Sequence, residues 1–405
     1  MSVSDKQTTR QCLTLLPLQD FVAPFLDYRK KLTTVNALKI IITAQLLDWP
    51  SLERIEQQIR ADPQFHDEFG LTSISKSQLS RRINDLPVDI PSALFSAVVH
   101  KIQAHHNLNP SRVLPINKSL AIVDSTNIRL PFHLADWAYV TEQRSGVKVH
   151  TRLMVVDSDT QYPDKIVPST GNVSDYEGSD PLVVDPDVLY VMDRGYVCYK
   201  RMQQWVTQGI DFVIRANTHH HAEILKEHEV PGTEPGVQKD ATVRMGNNKK
   251  TSMESELRLV EFVDEKGRFY RLLTTRWDLS AKEITEIYRQ RWLIELFFKW
   301  MKQHLRFARL YSYQPQAVWN HIFLALVAYG LSLLVKLETA SKKTVYQIVS
   351  LIRTYAEKKW SCLEQELYRK PGKFSKGRKK SERASPRVEP VEGVLIKESK
   401  KKRNR

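Results

Sequence analysis

The sequence predicts an α/β protein: a mixed sheet with helices, preceded by a helical N-terminal region and interrupted by a β-rich insertion. Three observations lead there. Apolar runs at 120–123 and 188–192 each lead straight into an aspartate, the pattern of short buried strands. Residues 35–49 and 279–305 instead carry apolar side chains at helical spacing. Between Asn217 and Arg276 the order breaks into Gly/Pro-bearing and alternating stretches. At 405 residues and 41% hydrophobic content, the chain is long enough for two or three domains with real cores.

Residues 1–112 read as a separate small helical domain, with apolar periodicity over 35–49 and a fresh helix start at Pro50-Ser51. After a turn near Gly70, residues 75–83 place Lys76, Arg81 and Arg82 on a short helix. That helix is either a recognition helix or an ordinary solvated face. Residues 113–217 read as the first part of the main domain. A strand over 117–126 carries Asp124 at its C-terminal end, and a second over 147–156 sets Lys148, His150 and Arg152 on one face. That face either lines a site or is wet. A third strand is expected at 165–168, a loop at 168–175, and a fourth strand at 188–193 ending in Asp193. Asp193-Arg194-Gly195-Tyr196 is its sharp exit, where Gly195 permits the turn. A helix over 196–208 with Trp205 inward and a strand over 210–216 complete this part.

Residues 218–276 read as the insertion, with a hairpin turning at Glu265-Lys266-Gly267. His219, His220 and His221 are adjacent, so no regular element could aim all three at one ion; they read as a solvated loop. Residues 277–365 return to the main domain, with core helices over 319–335 and 345–360. From Arg369 onward there are 15 Lys/Arg against 4 Glu, which accounts for most of the net charge of +15. Residues 366–405 therefore read as a disordered basic tail, adding salt-sensitive affinity for a polyanion or serving solubility alone.

That charge points to an anionic partner, nucleic acid ahead of membrane. Cys12, Cys198 and Cys362 are too few and too far apart for a disulfide framework or a cysteine zinc site. The N-terminus lacks the basic-then-apolar layout of a secretory signal. The longest apolar run, 322–335, falls short of the ~20 residues that span a bilayer. The expectation is a cytoplasmic, nucleoid-associated protein with no membrane span.

The helix expected over 279–305 organises the rest. With each residue advanced by about 100°, Tyr288, Arg291, Lys299 and Lys302 fall within about 40° of Glu295. Leu293, Ile294, Leu296, Phe297, Trp300 and Met301 then cover the far side. On its own such a stripe could be a set of surface ion pairs. The spacing Tyr288-x2-Arg291-x3-Glu295-x6-Lys302 resembles the YREK signature of bacterial insertion-sequence transposases of the IS-four type. The element order strand, strand, strand, crossover, strand, helix, strand matches the ribonuclease-H-like fold. In that fold the ends of the first and fourth strands lie side by side, so Asp124 and Asp193 would converge.

The resemblance implies a ribonuclease-H-like catalytic core with a mixed five-stranded sheet, and a DDE metal site made of Asp124, Asp193 and Glu295. Oxygen-only ligands suit two Mg²⁺ ions, with Mn²⁺ able to substitute. It also implies that Tyr288, Arg291 and Lys302, with Lys299 and Arg194 nearby, grip DNA. The implied reaction is cleavage at terminal inverted repeats of double-stranded DNA and joining of the 3′ ends to target DNA, by a homodimer assembled on DNA. A nuclease that cuts without joining, and a silent DNA-binding repressor derived from a transposase, are the competing readings.

Overall fold

In the computed structural model, described for residues 6–105, 116–230, 236–247 and 252–369, the N-terminal region is helical as the periodicity requires. Its helices are α1 (Thr8–Leu13), α2 (Pro24–Asp27), α3 (Thr34–Leu46), α4 (Leu52–Ala61), α5 (Pro63–Phe69), α6 (Lys76–Asp85) and α7 (Asp89–Gln103). Ser51 caps α4 at the start expected for it, and Ser75 with Gln78 forms a reciprocal capping box on α6. Gly70 closes α5 in the left-handed region at φ 61°. The boundary expected at residue 112 lies outside the described residues. The helices before it share one core with the later helices, since Leu38, Ile42, Ile83, Val98 and Ile102 are buried in one cluster with Ile322, Leu326 and Leu333.

The sheet begins with β1 (Ser119–Leu130), β2 (Tyr139–Thr141), β3 (Arg144–Asp157) and β4 (Thr160–Thr170). A four-residue helix α8 (Asp175–Gly178) leads to β5 (Val188–Met192), α9 (Tyr199–Thr207) and β6 (Asp211–Ala216). β4, β3 and β1 pair antiparallel, then β1 pairs parallel with β5 and β5 parallel with β6. The spatial order β4-β3-β1-β5-β6 is the ribonuclease-H-like five-stranded sheet.

The insertion supplies β7 (Ala222–Glu227), β8 (Val237–Met245), β9 (Leu257–Val263) and β10 (Phe269–Thr274). Its β9–β10 hairpin turns where expected, with Gly267 at φ 75°. It does not stand apart: β10 pairs antiparallel with β6, and the sheet continues through β9 and β8 to β7, giving ten strands among the described residues.

Helices α10 (Ala281–Arg289) and α11 (Trp292–His304) follow, then α12 (Pro315–Glu338), α13 (Val345–Thr354) and α14 (Trp360–Tyr368). At 24 residues α12 is long and apolar enough to cross a bilayer, yet its most apolar stretch is 94% buried by its neighbours. It is a core helix, longer than the apolar run that announced it. Inside that core the Asn320 amide donates to Ile83 O at 3.1 Å and Leu86 O at 2.7 Å, pinning the end of α6. The basic segment expected at 366–405 lies almost wholly outside the described residues.

Candidate active site

Strand alternation sets the geometry. Leu120 and Ile122 of β1, with Leu189 and Val191 of β5, face the core that contains α12. Ala121 and Val123, with Val188, Tyr190 and Met192, face the opposite core. A period of two therefore turns Asp124 and Asp193 to the same face, and the parallel ladder ends at Val123 opposite Met192, one residue before each of them. One expectation changes here. Asp124 does not end its strand: β1 runs on to Leu130 because β3 accompanies it throughout, while β5 leaves at Met192.

Each aspartate accepts a backbone N–H close by, Asp124 Oδ1 from Ser125 at 2.7 Å and Asp193 Oδ1 from Gly195 at 2.8 Å. Burial pushes the Asp124 carboxyl up to about 6. Asp193 and Asp175 push the same way, while the Ser125 N–H and the Arg291 guanidinium oppose them. Beside this cluster lies Tyr196, 1% exposed. Burial raises its pKa well above the usual value, Asp124, Asp175 and Asp193 add to that, and the Ser125 side chain opposes them.

The helix facing them is not continuous. Ser280 and Glu283 cap α10 as a reciprocal box, but at Gln290-Arg291 the backbone tightens: the N–H groups of Gln290, Arg291, Leu293 and Ile294 bond three residues back instead of four. The extra rotation shifts the phase of everything after it. Ile294, Phe297, Phe298 and Met301 are the buried face, while Leu296, expected inward, is 44% exposed. Glu295 falls in the first turn of α11. Arg291, just before that turn, donates to Glu295 Oε1 at 2.6 Å and stands 3.8 Å from Asp124 Oδ2. One guanidinium thus reaches the helix carboxylate and a strand carboxylate together.

The remaining residues of the stripe divide. Tyr288 is 4% exposed, and burial pushes it up to about 12 against the pull of Arg291 and Arg215. Lys302 reaches back to β1, donating to Asn127 O at 3.0 Å, and its burial lowers its pKa. Lys299 and Arg194 are exposed. A cleft of about 670 Å³ opens beside Glu295, lined by Arg215, Tyr270, Tyr288, Arg291 and Trp292 among others. Arg215 lies over the Tyr270 ring at 4.6 Å.

On α6, Lys76 and Arg81 are exposed, but Arg82 is not the outward cation that the sequence suggested. It is buried, bonding Asp27 Oδ1 at 2.5 Å and Thr34 Oγ1 at 2.6 Å. The β3 face also resolves. Lys148 bonds Asp175, His150 is buried against Ser169 at 3.0 Å, and Arg152 is buried in an ion pair with Asp164. Asp175, Ser125 and Tyr196 were not singled out as site residues from the sequence. Asp175 opens α8 directly after the Ser174 capping box, so local helix chemistry accounts for it fully and hides any second role.

Among the described residues, no three Asp, Glu, His or Cys side chains are gathered as a ready-formed metal cage. The donor chemistry nonetheless suits a hard divalent cation. Asp124, Asp193 and Glu295 offer only oxygen, and a cation, the Arg291 guanidinium, already stands between two of them.

A sheet of this order, with aspartates on two neighbouring parallel strands and a glutamate helix on the face they share, defines the ribonuclease-H-like class. Residues 116–331 match the family model described as the transposase DDE domain. The chain is 31% identical over 264 residues to a protein of Geobacillus stearothermophilus named a probable transposase for insertion sequence element IS5377, spanning 65% of this chain and 68% of that one. A protein of Synechocystis sp. named for the transposase of insertion sequence element IS4SA is 27% identical, over 43% of this chain and 49% of its own length. Among solved structures, the piggyBac transposase of a synaptic complex with hairpin DNA aligns with 90% of this chain and 82% of its own, at TM-score 0.44 and 11% identity. That likeness is too distant to add to the topology. The chain belongs to the DDE transposase family.

Proposed function

We propose that this transposase binds the terminal inverted repeats of an insertion sequence, cleaves the DNA at each end and joins the freed 3′ ends to target DNA. The observation that carries the reading is the convergence of Asp124 and Asp193 on the face where α11 brings Glu295, with Arg291 reaching across to Asp124.

In this reading Asp124, Asp193 and Glu295 hold two Mg²⁺ ions, for which Mn²⁺ can stand in. When bound, the pair supplies an activated oxygen nucleophile and relieves charge at phosphorus. Glu295 becomes available once Arg291 releases it, and the freed guanidinium can then fork onto a phosphate. Lys302, Lys299 and Arg194 add cationic contacts along the same face, Tyr288 walls the cleft, and Lys76 and Arg81 offer a second basic patch on α6. Two bond exchanges follow. Water oxygen bonds to phosphorus at the element's end as the phosphorus–O3′ bond breaks and the 3′ oxygen takes a proton. The freed 3′-hydroxyl then attacks a target phosphorus and displaces a target 3′ oxygen. Handling two ends together calls for at least a homodimer on DNA.

The test is incubation with Mg²⁺ and a duplex carrying the flanking inverted repeat, with the cut strands mapped and the joined product assayed. Nicks followed by joined product support the reading. Nicks with no joining would assign a nuclease, and binding with neither would assign a silent DNA-binding protein.

A further inference from the structure

Asp175 touches the residues that hold both strand aspartates. Its Oδ1 accepts from Ser125 Oγ at 2.7 Å and from Lys148 Nζ at 3.1 Å. Ser125 is the residue whose N–H bonds Asp124. On the other side, Asp175 Oδ2 lies 3.2 Å from the point where a Cβ on Gly195 would stand, and Asp193 Oδ1 lies 3.8 Å from that point. Gly195 is the residue whose N–H bonds Asp193. A Cβ at 195 would press on the Asp175 carboxylate and meet Asp193 at ordinary contact distance.

Two further observations separate this from a plain helix-start aspartate. The Lys148 ammonium that meets Asp175 is also fixed to Val173 O at 2.7 Å, so the loop before α8 is tied down over the sheet. Tyr196, 1% exposed, packs into the same cluster: besides its burial, the Asp124, Asp175 and Asp193 carboxylates raise its pKa, and the Ser125 side chain, which also bonds Asp175, lowers it.

We propose that Asp175 is a positioning residue for the divalent-cation site: it clamps Ser125, packs against Gly195, and adds a negative charge to those of Asp124 and Asp193. The inference rests on the reading of those aspartates as cation ligands. Removal of an outer partner of this kind typically weakens metal binding about 10- to 100-fold.

The test is calorimetric titration of Mn²⁺ into the full chain, without DNA and at fixed salt, which reads affinity and not turnover. Asp175→Asn keeps the shape and an acceptor oxygen but removes the charge; its Mn²⁺ affinity should fall by about 10-fold or more. Ser125→Ala keeps the charge and cuts the clamp, and should weaken binding by a smaller factor. Asp193→Ala should abolish binding. Asp175→Asn within two-fold of wild type, while Asp193→Ala loses the ion, overturns the role of Asp175 and leaves the metal reading intact. Wild type that takes up no Mn²⁺, or Asp193→Ala that binds like wild type, defeats the metal reading and this inference with it. If Asp175→Asn does not fold, Ser125→Ala decides: affinity within two-fold of wild type overturns the clamp.

Discussion

The two halves of the candidate site are held by different means. Asp124 and Asp193 ride on adjacent parallel strands and are fixed by backbone N–H groups one and two residues away. Glu295 rides on a helix that begins at a tightened turn, and its bonding partner is a long side chain, Arg291. Backbone donors cannot leave without unmaking local structure, whereas a guanidinium can swing. The strand half is therefore set when the sheet forms, and the helix half remains adjustable.

The sharpest way to break this contrast is to remove a strand aspartate. Asp124→Ala or Asp193→Ala should lower strand cleavage by about 10³-fold or more while binding to the terminal repeat, measured by gel shift, stays within a few-fold. Cleavage surviving either change would remove the strand half from the chemistry. Next comes the adjustable half. Arg291→Ala should cost about 10- to 100-fold in cleavage, and Arg291→Lys should recover little of it, because an ammonium lacks the fork that reaches Glu295 and Asp124 together. Full recovery by lysine would mean that charge alone matters.

A smaller effect sharpens the strand side in the metal-free protein. The folded-state pKa of Asp124, about 6, lies above its unfolded value. The stabilisation from its protonated form is thus complete below about pH 4 and is lost as pH rises through 6. Asp124→Asn mimics the protonated form and escapes that loss. With a chelator present, its melting temperature should match wild type near pH 4 and exceed it at pH 7 by a few degrees, corresponding to about 2 kcal/mol after allowance for solvent screening. The smallest effect is expected at exposed Lys299. Lys299→Ala should leave cleavage at saturating DNA nearly unchanged and reduce the salt slope of binding by about 1.

Legibility from sequence tracked how local the cause was. β5 was readable to within one residue, expected over 188–193 and ending at Met192, because a fully buried strand is an unbroken apolar run. The hairpin at Gly267 was readable because the turn needs positive φ. The end of β1 was not, since nothing in residues 124–130 says that β3 stays while β5 departs. The break at Gln290-Arg291 has no glycine or proline to mark it. Arg82 looked like a surface cation because its partner Asp27 lies 55 residues away. Of the candidate site, Asp124 and Asp193 stood out because each follows an apolar run, although β1 continues past Asp124, and Glu295 because of its helical spacing. Ser125, Asp175 and Tyr196 did not, because the contact that joins the first two, Ser125 Oγ to Asp175 Oδ1, spans 50 residues and comes from tertiary folding.

The edge-to-edge joining of β10 to β6 has a mechanical consequence. A load on the Lys266 tip of the insertion is passed through hydrogen-bonded ladders to the strands bearing Asp193 and Asp124, with no hinge loop to absorb it. The hairpin is thereby continuous, ladder by ladder, with the strands that present Asp124 and lead into Asp193.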